Sequence, residues 1–133
     1  MSELTLEARV ENLDQVLAFV DKHLEEFDCP PKPQMQIDIA VEELFVNIAR
    51  YAYAPEVGSM TLRIDQAPSE VSITFIDRGI PYNPLAKVDP DVTLTAEERE
   101  IGGLGIFMVK KSMDGMEYRH EDGQNILTIR KKI

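Results

Sequence analysis

Apolar and polar positions alternate over Leu4-Thr-Leu-Glu-Ala-Arg-Val10, a spacing that predicts a strand. Asn12, with Gln15 three residues on, has the form of a capping box opening a helix. The apolar positions of that helix are Leu13, Val16, Leu17, Val20 and Leu24. Cys29-Pro-Pro-Lys-Pro33 stops it, and Pro33 suits the first turn of a second helix. The second helix runs to about Tyr53 and buries Ile37, Val41, Leu44, Ile48 and Ala52. After a turn at Pro55-Glu-Val-Gly58, period-2 patterns over Met60–Ile64 and Val71–Phe75 predict a hairpin around Pro68-Ser-Glu70.

From Arg78 to Gly105 the pattern dissolves. Three prolines, four glycines and scattered charge predict a long loop, with Thr95-Ala-Glu-Glu98 able to cap one short helix inside it. Ile106–Met113 reads as a helix ended by Asp114-Gly115. Met116–His120 and Ile126–Arg130 read as a closing strand pair around Glu121-Asp-Gly-Gln124. The order is strand, two helices, two strands, loop, helix, two strands. It predicts a single α+β domain over residues 1–133, a two-layer sandwich with helices on one face of a mostly antiparallel sheet.

At 133 residues the chain is long enough to bury a core without disulfides or metal. A net charge of -10 argues against a nucleic-acid surface or an anionic membrane, and asks for a basic patch on any partner chosen by charge. One cysteine, Cys29, and two separated histidines leave no pattern for a zinc site or an internal disulfide. Without a basic-then-apolar leader or a span-length apolar run, the expected location is cytoplasmic.

Three stretches carry candidate chemistry. In Ile39-Ala-Val-Glu-Glu-Leu-Phe-Val-Asn47, Glu43 and Asn47 lie one turn apart at the border of an apolar helix face. A carboxylate there can take a proton, and a carboxamide oxygen is a hard ligand suited to Mg2+. Either residue also fits an ordinary helix rim. In Phe75-Ile-Asp-Arg-Gly79-Ile-Pro81, Asp77 ends a strand as an acceptor for an amine, and Gly79 allows close approach to the backbone; a plain turn has the same composition. Ile101-Gly-Gly-Leu-Gly105 opens a helix, where backbone amides and the helix dipole favour phosphate.

Taken in this order, the three resemble the Bergerat-fold (GHKL) ATP-binding superfamily, and within it the bacterial anti-sigma-factor serine/threonine protein kinases. The likeness covers nearly the whole chain. It implies that Glu43 is the base for a substrate serine, that Asn47 holds Mg2+ on the ATP phosphates, and that Asp77 accepts from the adenine amine beside Gly79. Residues from about Asn83 to Ile101 would form a lid, hinged at Gly103 and Gly105 so that it spans about 83–104, with Leu104 also at the nucleotide. Lys87 and Arg99 are candidates for a lid cation, and Asn125 and Thr128 compete for a second polar position at the adenine. Where many members continue to a further glycine this chain has Pro81, and where the kinase branch often has histidine it has Tyr51. The implied partners are a STAS-type anti-sigma-factor antagonist as substrate, a sigma factor as captive, and a second copy in a homodimer. The alternative is an ATP-gated binding module of the same fold without phosphoryl transfer.

Overall fold

The computed structural model describes residues 1–53, 56–86 and 103–133. The Thr95–Glu98 cap, most of the lid and the cations Lys87 and Arg99 lie outside the described residues. Among the described residues five strands, β1 (Ser2–Glu7), β2 (Ser59–Ala67), β3 (Glu70–Asp77), β4 (Gly115–Glu121) and β5 (Gln124–Lys132), form one antiparallel sheet in the order β1-β2-β3-β5-β4. The described residues also form the helices α1 (Leu13–Glu26), α2 (Pro31–Asn47) and α3 (Gly103–Ser112), α1 packing on α2 and α2 on α3. The α+β architecture read from the pattern is the observed one.

The sheet's inner face follows from period 2. Met60, Leu62 and Ile64 of β2, Val71, Ile73 and Phe75 of β3, and Leu127 and Ile129 of β5 are buried. They meet Val16, Val20 and Leu24 of α1, Ile37, Val41, Leu44 and Phe45 of α2, and Ile106 and Val109 of α3 in one core. The outer face is mostly polar, Ile76 and Ile126 excepted, with Thr5 bonded to Thr61 and Thr74 to Thr128 across strand pairs. The β4–β5 turn places both Asp122 (φ 54) and Gly123 (φ 75) in the left-handed region that a two-residue hairpin requires.

Several expected boundaries moved. β1 ends at Glu7 because the chain turns into one 3₁₀ turn, Val10–Asn12, where the alternation reading had continued the strand. Asn12 makes no side-chain cap; its Nδ2 donates back to Glu7 O at 2.9 Å, tying the end of β1 to the start of α1. Pro31 occupies the first turn of α2, two residues ahead of Pro33. Past Asn47 the helix widens into a π-type turn, Ile48–Ala52, so its full length reaches about the expected end. α3 begins at Gly103, before the Ile106 that the apolar pattern suggested.

Candidate functional site

The inner row of the sheet becomes polar at one end. Asp77 on β3 lies directly opposite Asn125 on β5, and both are 6% exposed among otherwise apolar neighbours. Buried polar groups need partners, and these two supply them to each other and to the β3 exit. Asn125 Nδ2 donates to Asp77 Oδ1 at 3.0 Å, and the Gly79 amide donates to the same oxygen at 2.9 Å. Those bonds use one carboxylate oxygen. Asp77 Oδ2 accepts no bond from any described residue, in a side chain that lines a cleft.

That cleft has a volume of about 430 Å³ with its open mouth included. Leu44, Asn47 and Ile48 form its α2 wall, Phe75 and Asp77 its β3 wall, and Tyr118, Asn125 and Leu127 its far side, with Tyr82 and Pro84 also lining it. The arrangement suits a flat, mostly apolar ring carrying an amine. Asn47, the last residue of α2 before the π-type turn, therefore shares a cavity with Asp77 although the two are far apart in sequence.

Glu43, a turn earlier on α2, sits half-buried against the start of α3. A Cβ built on Gly105 would lie 2.0 Å from Glu43 Oε1 and 2.3 Å from its Cδ, so the glycine vacates the space the carboxylate occupies. Of the third motif, Gly103 and Gly105 lie in the first turn of α3, as does Leu104. The glycine-rich segment, Glu43, Asn47 and Asp77 are thus all carried by elements that touch α2 or end at the cleft.

One expectation is corrected by placement. Thr128 points to the outer face and bonds Thr74 at 3.1 Å, because β5 alternates and Thr128 has the parity opposite to Asn125 and Leu127. Of the two β5 candidates, Asn125 is the one at the cleft. Gly79 is also required to be glycine by the fold itself: a Cβ there would lie 2.3 Å from Ala52 O and 2.6 Å from its carbonyl carbon. The β3 exit presses onto the end of the π-type turn, and the Ile80 amide donates to Ala52 O at 2.9 Å.

Tyr53 carries a structural role that the helix pattern did not reveal. Its hydroxyl donates to Ser59 O and accepts from the Arg78 amide, both at 2.6 Å, joining the end of α2 to the start of β2 and the exit of β3. Burial raises its phenol above the ordinary value, with the Arg78 amide opposing, which favours the protonated donor. Gly58 makes room for the ring, since a Cβ would fall 2.4 Å from it. Among the described residues no cluster of three acidic, histidine or cysteine side chains could hold a metal. A divalent ion here would rest on the Asn47 oxygen together with ligand phosphates and water, the manner typical of Mg2+. No described helix is long and apolar enough to cross a membrane.

Residues 6–131 match the family model of the histidine kinase-like ATPase domain. The serine-protein kinase RsbW of Bacillus mycoides (strain KBAB4) is 29% identical over 93 residues, covering 67% of this chain and 58% of that protein. The serine/threonine-protein kinase BtrW of Bordetella bronchiseptica is 27% identical over 94 residues, 70% of this chain and 66% of that protein. The aligned part therefore spans less than two thirds of these relatives. Among solved structures, a chain of the SiaB–SiaC complex from Pseudomonas aeruginosa superposes with a TM-score of 0.61 at 14% identity, covering 98% of this chain and 89% of that one. The histidine kinase domain of a blue-light activated histidine kinase from Erythrobacter litoralis gives 0.52 at 12% identity, over 92% of this chain and 59% of that one. At such identities the likeness is one of fold.

Proposed function

Since this chain belongs to the histidine kinase-like ATPase domain family, we propose that it binds Mg-ATP in the Asp77–Asn47 cleft and phosphorylates a serine or threonine of a partner protein. The observation that carries the reading is the free Oδ2 of buried Asp77 in one cleft with Asn47, one helical turn from a carboxylate packed at the first turn of α3. Asp77 Oδ2 is the acceptor for the adenine amine. Asn47 would hold the magnesium ion, which neutralises phosphate charge, and the start of α3, where a helix leaves its first amides without intrahelical partners, would face the phosphates. Glu43 takes the proton of the attacking hydroxyl as the γ-phosphoryl group passes to that oxygen and ADP leaves.

The substrate we infer is a STAS-type anti-sigma-factor antagonist, with a sigma factor held by a homodimer of the same chain. Support comes from the motif order and from relatives named as serine and serine/threonine protein kinases. The charge of -10 fits partners that present basic surfaces.

The test is transfer of labelled phosphate from ATP to STAS-domain proteins, comparing wild type with Glu43→Gln. The variant keeps the side-chain shape and loses the base, so transfer should fall by about 10²–10⁴-fold with nucleotide affinity held. Equal transfer by the two proteins would remove Glu43 from the mechanism. Nucleotide binding without transfer to any such substrate would instead favour the ATP-gated binding module.

A further inference from the structure

A carboxamide has two N–H donors and an oxygen that accepts twice, and at Asn125 the protein occupies all four positions. Nδ2 donates to Ile80 O at 2.9 Å and to Asp77 Oδ1 at 3.0 Å, with Gly79 O a longer contact at 3.4 Å. Oδ1 accepts from the Tyr118 hydroxyl at 2.5 Å and from the Tyr82 amide at 3.3 Å. The reversed amide would set NH2 against the Tyr82 N–H and oxygen against the Asp77 carboxylate. One orientation satisfies every neighbour. A group so engaged has no position left with which to read a ligand, even though it lines the cleft.

We propose that Asn125, anchored by the Tyr118 hydroxyl, is a positioning residue that sets which oxygen of Asp77 faces the bound base. With the Gly79 amide it fixes Oδ1 in the protein, which leaves Oδ2 as the oxygen available to a ligand in the cleft that Asp77 lines. The same carboxamide ties Ile80 and Tyr82 to β5, holding the β3 exit that borders the cleft. Tyr118 stands on β4, opposite Leu127, and its ring lines the cleft. The inference rests on the nucleotide reading above and adds a specificity device to it. A fixed carboxylate oxygen accepts from a 6-amino purine and repels the 6-oxo group of guanine. A carboxylate free to turn discriminates less.

Calorimetric titration of the full chain with Mg-ADP, and with Mg-GDP in competition, tests this in wild type, Tyr118→Phe and Asn125→Ala. Tyr118→Phe keeps the ring and removes one hydrogen bond. Its affinity for Mg-ADP should fall about 3- to 10-fold, with Mg-GDP binding unchanged and the melting temperature little moved. Asn125→Ala should lose more adenine preference, and its melting curve reports whether it folds. Should it unfold, Tyr118→Phe alone decides. Unchanged Mg-ADP affinity in Tyr118→Phe, or equal losses for the two nucleotides, would overturn the positioning role while leaving the nucleotide reading intact. A wild-type chain that binds neither nucleotide would overturn both.

Discussion

Across the α1–α2 interface two carboxylates meet, and their meeting sets a pH dependence of stability. Asp38 of α2 interacts with Asp21 of α1, and Asp38 Oδ1 is buried with no hydrogen-bond partner among the described residues. Glu25 of α1 adds a third negative charge, Asp38 in turn helps burial raise the Cys29 thiol, and Gln34 Nε2 donates to Asp21 Oδ1 at 3.2 Å. Burial, then the bond to Asp21, then repulsion by Asp21 and Glu25 raise the Asp38 carboxyl from 3.8 to about 7. The folded chain therefore keeps a proton that the unfolded chain releases near pH 4, so stability falls as pH rises through the window from about 4 to about 7. Unscreened, that shift corresponds to about 4 kcal/mol; Asp38 is only part-buried, and solvent screening leaves about 1–2 kcal/mol. Asp38→Asn removes the charge and keeps an N–H donor for Asp21. Thermal melts at pH 4 and pH 8 should give nearly equal midpoints at pH 4 for the two proteins. At pH 8 the variant should gain about 3–8 °C. If wild type melts at one temperature across this range, or the variant gains nothing at pH 8, the shared-proton account is wrong.

Two glycines predict opposite outcomes. Gly79→Ala sets a methyl 2.3 Å from the Ala52 carbonyl oxygen, a backbone atom that cannot step aside, so it should destabilise by about 1–3 kcal/mol in denaturant titration. Gly105→Ala first meets Oε1, Cδ and Cγ of the flexible Glu43 side chain and improves helix propensity by up to about 1 kcal/mol. Its melting point should hold while phosphoryl transfer drops with the displaced carboxylate. A variant that transfers phosphate at the wild-type rate would contradict that placement of Glu43.

The amino-acid sequence by itself determined the element types, the antiparallel α+β class and the three polar interruptions that end at the site. Each is local: a period of 2 or 3.6, a proline, a glycine, and a carboxylate where an apolar strand should continue, as at Asp77. The choice between Asn125 and Thr128 was not local. Ile126 and Ile129 have opposite parity, so β5 offers apolar side chains to both faces, and only its pairing with β3 decides which face is the core. The same holds for Gly79, whose missing Cβ is required by Ala52, and for Asp38, whose carboxyl is altered by a residue on another helix. Tyr118 meets Asn125 through a hairpin register, and Asn125 meets Asp77 across 48 residues of chain. Periodicity says which way a side chain points relative to its neighbours in sequence; what it points at depends on which strand or helix folds against it.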